Sequence, residues 1–170
     1  KINSLLPLVW IIKETNRISK IVKNLLQFSR NETEAFSEHS ISEIIDNTLS
    51  LVNAILKHDQ IKLELNIAEK VPLVECRASQ IQQVIMNLIT NSRDALNNKY
   101  PGYDNNKKII IKAEEVTFNN LKGVRISVED KGDGIPKEMQ SVIFYPFFTT
   151  KSRSEGTGLG LSISYGIIKE

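Results

Sequence analysis

Two strand-like stretches, IIIKAEEV (109–116) and GVRISVED (123–130), follow each other across the short connection TFNNLK. Strands joined this closely pair as an antiparallel hairpin, because a parallel pair needs a crossover of about a dozen residues or more. That argues against a doubly wound parallel sheet. Helical and strand patterns alternate ahead of the hairpin. Ser42 can cap a helix reaching about Lys57, with Ile44, Ile45, Leu49, Val52, Ile55 and Leu56 on its buried side. IKLELNI alternates as a half-buried strand does, and LVEC after Pro72 is a short companion. A second helix is expected from about Arg77 to Asn98, and a last one from about Leu159 to the end. The expected fold class is α+β: a two-layer sandwich with helices on one face of a mixed sheet.

Residues 1–31 read differently. Leu8, Ile11, Thr15, Ile18, Val22 and Leu25 recur at steps of three and four, the seam of a coiled coil or helical bundle. Lys13, Arg17, Lys20, Lys23 and Arg30 share the other faces with Glu14. A helix this apolar needs a partner, and a second copy of the chain would make a homodimer. Residues 32–40 are polar and read as a linker, leaving 41–170 as a second domain.

Bulk properties bound the function. The net charge is only +2, so no general attraction to nucleic acid or membrane follows. No stretch approaches the roughly 20 apolar residues of a membrane span. The single cysteine, Cys76, excludes an intrachain disulfide and a multi-cysteine zinc site, and it suits a reducing, cytoplasmic setting. The chain opens and closes inside helical patterns and reads as a piece of something longer, whose parent could be anchored in a membrane.

Three elements carry the chemistry. In QIQQVIMNLITNSRDAL, helical spacing sets Ile81, Ile85, Leu88, Ser92, Ala95 and Leu96 toward the core. Gln83, Asn87, Asn91 and Asp94 share a polar stripe, either a solvated face or a set of hard oxygen ligands suited to Mg²⁺. DKGDGIP places Asp130 at a strand end, with Gly132 and Gly134 free to bring backbone close to a flat ligand. A carboxylate there can accept from an exocyclic amine such as that of adenine, although the heptapeptide alone also reads as a simple turn. GTGLGLS puts Gly156, Gly158 and Gly160 before an amphipathic helix, an anion cradle, with Thr149, Thr150, Lys151 and Arg153 just upstream. Neither G-x-G-x-x-G nor a P-loop G-K-[ST] occurs at these glycines.

Together the three suit a magnesium nucleotide, and at this point the sequence resembles a known family. Residues 80–96, DKGDGIP, IFYPFFTTK and GTGLGLS are similar, in order and spacing, to the N, G1, F and G2 boxes of sensor histidine kinases. Their catalytic domain has the Bergerat-type ATP-binding fold shared with Hsp90, MutL and type II topoisomerases. ISKIVKNLLQFSR resembles the second helix of the family's dimerisation and phosphotransfer domain.

The resemblance implies ATP and Mg²⁺ as cofactors, with Asn91 as the metal ligand and Asn87 its polar neighbour. It implies Asp130 as the adenine reader beside Gly132, Gly134 and Ile135, with Phe144 and Phe148 anchoring a lid. Thr149, Thr150, Lys151, Gly156, Thr157, Gly158, Leu159, Gly160 and Leu161 would surround the phosphates. Asp94 stands where many relatives carry a basic residue, which Arg93 could supply. The family transfers the γ-phosphoryl group of Mg-ATP to a histidine for relay to a response regulator. Its His-acid phosphoacceptor motif and its closing strands are not in this sequence, and His39 and His58 are expected to be solvated. Two other readings remain: a hydrolase of the Hsp90/MutL kind, and a nucleotide-binding scaffold without catalysis. The hydrolase needs a carboxylate to activate water, and Asn87 stands where those relatives carry Glu.

Overall fold

The fold was taken from a computed structural model, which describes residues 11, 12, 15, 18, 19, 34–152 and 156–170. The helix expected over 1–31 lies outside these apart from Ile11, Ile12, Thr15, Ile18 and Ser19, all helical. Among the described residues, no helix is long and apolar enough to cross a membrane. The chain divides into two compact units, one of which is Ala35–Pro136; the described elements of the other lie in 137–170.

In Ala35–Pro136 the order is β1 (Ser37–His39), α1 (Ile41–His58), β2 (Lys62–Ile67), β3 (Val74–Cys76), α2 (Ala78–Lys99), β4 (Lys108–Phe118) and β5 (Leu121–Asp130). The main sheet is ordered β2-β4-β5, with β2 parallel to β4 and β4 antiparallel to β5, so it is mixed as expected. Ile109, Ile111 and Ala113 alternate onto one face of β4 and are fully buried. They join Ile45, Leu49 and Leu56 of α1 and Ile85, Ile89 and Leu96 of α2 in one core. The opposite face is laced with ion pairs, Lys112–Glu129 at 2.6 Å, Arg125–Glu114 at 3.3 Å and Lys108–Glu64 at 3.4 Å. Both helices therefore cover one side.

The structure adjusts several boundaries. The α1 cap is Ser40, not Ser42: its Oγ accepts the Glu43 amide at 3.4 Å, which leaves Ser42 inside the first turn. Ile55 is 43% exposed, at the edge of the apolar stripe. Within the stretch read as linker, Ser37–His39 pair with Val74–Cys76. A three-residue strand carries too short an alternation to stand out in sequence. The hairpin is tighter than expected, because Asn119 (φ 49°) and Asn120 (φ 63°) alone make the turn. Two successive left-handed residues match the twist of the strands, and asparagine tolerates that conformation.

One buried charge fastens the two helices together. Asp59, just after α1, is only 10% exposed; its Oδ2 accepts from Arg93 Nε and from Asn97 Nδ2 (2.7 Å), both on α2. His58 Nδ1 lies 3.0 Å from Oδ1, so His58 sits at the helix end rather than in a free loop. Burial raises the Asp59 pKa, but the hydrogen bonds from His58, Asn97 and Arg93 and the Arg93 charge outweigh it, holding the carboxyl at about 2. A folded-state value below the usual 3.8 means stability present above that pH and lost as pH falls toward 2. Asp59→Asn should cost about 2 kcal/mol at neutral pH. Denaturant titrations across pH should show its gap from the parent closing between about pH 4 and 2; a pH-independent gap would contradict this reading.

The second unit contains a 3-10 turn (Lys137–Met139), a run of turns to Phe147, and α3 (Gly160–Lys169). The Phe144 and Tyr165 rings lie 5.2 Å apart between centroids, tying the turn segment to α3. Leu159 and Ile167 are buried.

Candidate nucleotide-binding site

α2 supplies the polar stripe. Gln83, Asn87, Asn91 and Asp94 are all half-buried, while Val84, Ile85, Ile89, Ser92 and Leu96 are buried. The expected core set was slightly out of phase: Ile81, Leu88 and Ala95 are half-buried, and Val84 and Ile89 take deeper places. An apolar stripe wider than a single heptad seam leaves its centre ambiguous in sequence. Arg93 does not stand idle beside Asp94. Its Nε is committed to Asp59, and its Nη1 lies 3.6 Å from Asp94 Oδ1.

β5 delivers Asp130 to the same end of α2. Asp130 Oδ1 accepts the Gly132 amide at 2.8 Å, closing a tight carboxylate turn. A Cβ on Gly132 would lie 2.8 Å from Ala95 Cβ and 2.8 Å from Asp130 Oδ1. Only glycine lets this loop rest on α2 one turn beyond Asn91. Gly134 is needed for a different reason, its φ of +74°. Ile135, 49% exposed, follows in the same loop. Asn87, Asn91 and Asp94 thus run from the middle of α2 into its last turns, and the loop carrying Asp130, Gly132 and Gly134 meets the helix at Ala95 through Gly132. Sequence patterns missed Lys99 and Tyr100, whose side chains also reach this loop.

The remaining candidates lie in the second unit. Thr149 and Thr150 are exposed, and Thr149 Oγ1 accepts the Lys151 amide at 3.1 Å. Phe147 donates its amide to Gly158 O at 2.9 Å, joining the F and G2 stretches through backbone. Both partners are left-handed, at φ 67° and 68°. A Cβ on Gly158 would run into the Phe147 carbonyl, and one on Gly156 into the Thr149 side chain. Thr157 Oγ1 accepts the amide of Leu159 at 3.4 Å, and Gly160 and Leu161 open α3. Leu159, at the N-cap, carries no side-chain acceptor for the helix's first amides. Arg153 lies outside the described residues.

Within Ala35–Pro136 the donor set fits a purine base and a hard cation. A carboxylate on a glycine-shaped loop can meet a purine amine, and half-buried amide oxygens suit a hard cation. In the second unit, a Cβ on Gly156 or Gly158 would meet Thr149 or Phe147 of the same chain, so these glycines serve the close packing of the F stretch on the G2 stretch. Among the described residues, no cluster of three or more His, Cys, Asp or Glu side chains could cage a metal. A cation here would share phosphate oxygens, as Mg²⁺ commonly does.

Known proteins match in sequence and fold. Residues 76–170 match the model of the histidine kinase-, DNA gyrase B- and HSP90-like ATPase family. The two-component sensor PprA of Pseudomonas aeruginosa is 33% identical over 90% of this chain, and the match spans 16% of PprA. The first three curated relatives are matched over only 16%, 18% and 20% of their lengths. The nucleotide-free catalytic domain of histidine kinase ThkA superposes with a TM-score of 0.65 at 34% identity, over 79% of this chain and 80% of that one. ThkA in complex with the response regulator protein TrrA gives 0.69 at 31% identity, over 94% of this chain and 42% of that one. The chain therefore belongs to the histidine kinase-like ATPase family, with a catalytic domain of the Bergerat fold.

Proposed function

We propose that this chain is the ATP-binding catalytic portion of a sensor histidine kinase. It transfers the γ-phosphoryl group of Mg-ATP to a histidine on a dimerisation helix outside this sequence, for relay to a response regulator. The observation that carries the reading is the packing of the loop after Asp130 on α2 one turn beyond Asn91, through the Gly132–Ala95 contact that only glycine permits. Residues 1–31 would pair with a second copy, and a response regulator is the partner with which ThkA was solved.

ATP supplies the transferable phosphoryl group and Mg²⁺ the charge neutralisation. Asp130 would accept from the base amine, and Gly134 would keep the loop open to it. The Asn91 amide oxygen would hold the cation, with Asn87 one turn earlier. Thr149, Thr150, Lys151 and the backbone from Gly156 to Leu161 would orient the phosphates by hydrogen bonds and charge. Positioning and charge supply most of the catalysis in phosphoryl transfer. The chain need not provide a base, because neutral imidazole is already a nucleophile near pH 7. Asn87 also argues against the hydrolase reading, since an amide cannot activate water as a carboxylate does.

Calorimetric titration with Mg-ATP and Mg-GTP tests the adenine site. The chain should prefer ATP, and Asp130→Ala should lose that preference with about 1–3 kcal/mol of ATP affinity. Equal affinity of the unaltered chain for both nucleotides would contradict the assignment, and no binding of either would favour a scaffold.

A further inference from the structure

β5 ends at Asp130, and Lys131–Pro136 has no regular secondary structure. A segment without a ladder must find other partners for its carbonyls or leave them to water. Here two side chains at the end of α2 reach across to it. Lys99 Nζ donates to Lys131 O at 2.8 Å and to Gly132 O at 3.0 Å. Tyr100 Oη donates to Lys131 O at 3.2 Å. Lys99 Nζ also lies 3.8 Å from Asp133 Oδ1 and 5.3 Å from the centre of the Tyr100 ring, so the two side chains act on the loop together.

A lysine in the last turn of a helix ordinarily faces its own helix's free carbonyls, where its charge complements the helix dipole. Lys99 instead caps two carbonyls of a different segment. Gly132, held at its carbonyl, donates its own amide to Asp130 Oδ1 at 2.8 Å. One glycine thus links the lysine to the aspartate. Its backbone, with no Cβ between it and Ala95, has few alternatives while the carbonyl is held.

We propose that Lys99 and Tyr100 are positioning residues for purine selection. By fixing the Lys131 and Gly132 carbonyls to the end of α2, they set the direction in which the Asp130 carboxylate meets the base. This rests on the adenine-reading role of Asp130 given above. A merely structural bond would affect melting alone, whereas a positioning bond also affects the choice between purines.

The test compares Mg-ATP and Mg-GTP affinities of the 170-residue chain and of Lys99→Met, Lys99→Arg, Tyr100→Phe and Asp130→Ala, with thermal melting alongside. Lys99→Met keeps much of the aliphatic stem and removes the charge-assisted bonds. It should weaken ATP about tenfold and move the ATP-over-GTP ratio most of the way to one. Tyr100→Phe, which loses one hydroxyl, should shift the ratio in the same direction by about threefold and guards against misfolding of the lysine variant. Lys99→Arg should restore most of the preference, because it keeps the cation. Selectivity lost in Asp130→Ala but kept in both Lys99→Met and Tyr100→Phe would overturn the positioning role alone. Selectivity unchanged in all of them, Asp130→Ala included, would overturn the adenine reading and this inference with it.

Discussion

Asn91→Ala is expected to reduce phosphoryl transfer at least about a hundredfold and to weaken Mg-ATP binding, while the folded chain survives. Asn91 is half-buried on the stripe that faces away from Ile85, Ile89 and Leu96, so its removal opens no cavity in the core. Alanine is the better helix former by about 0.5 kcal/mol, which offsets part of what the lost amide contributed. Stability should change by less than about 1 kcal/mol. Function depends on the amide oxygen as a ligand, and loss of a metal ligand removes transition-state charge neutralisation that the rest of the site cannot supply. Titration with ATP in magnesium and in EDTA separates the effects. The variant should lose the magnesium-dependent part of binding and little else. Unchanged transfer by the variant would remove Asn91 from the metal site.

Gly158→Ala should be nearly as damaging, for a backbone reason. Gly158 has φ +68°, a conformation that disfavours any L side chain by about 1–2 kcal/mol, and its Cβ would overlap the Phe147 carbonyl. The strand of contact between the F and G2 stretches, Phe147 N to Gly158 O, would have to open. Nucleotide affinity should fall by about ten- to a hundredfold, and hydrogen exchange at the Phe147 amide should accelerate. Gly166→Ala is the contrast. It lies inside α3 with nothing within 4 Å of its added Cβ, so the change should stabilise by up to about 1 kcal/mol. Equal effects of the two substitutions would show that glycine at 158 is not required by its geometry.

Much of this was legible in the sequence because the decisive signals are local. The period of the apolar residues located α1 and α2, alternation located β2, β4 and β5, and glycine at 132, 134, 156 and 158 marked the loops. What escaped was nonlocal or too short to have a period. The pairing of Ser37–His39 with Val74–Cys76 joins segments far apart in the chain. Asp59 belongs to no sequence motif, and only the fold sets it against Arg93 and Asn97 on another helix. Lys99 and Tyr100 fall just past the expected helix end at about Asn98, and their partners are backbone carbonyls, which no side-chain pattern encodes. The separate jobs of the glycines were also hidden: Gly132 answers to crowding and Gly134 to dihedral angle, although both read alike as bare backbone.

The chain is incubated with magnesium and γ-labelled ATP together with a dimeric helical protein carrying the family's phosphoacceptor histidine. Label should appear on that protein in acid-labile, alkali-stable form, characteristic of phosphohistidine, with little of it from Asn91→Ala. Release of inorganic phosphate with no labelled histidine, from a chain that binds Mg-ATP, would contradict the proposed transfer.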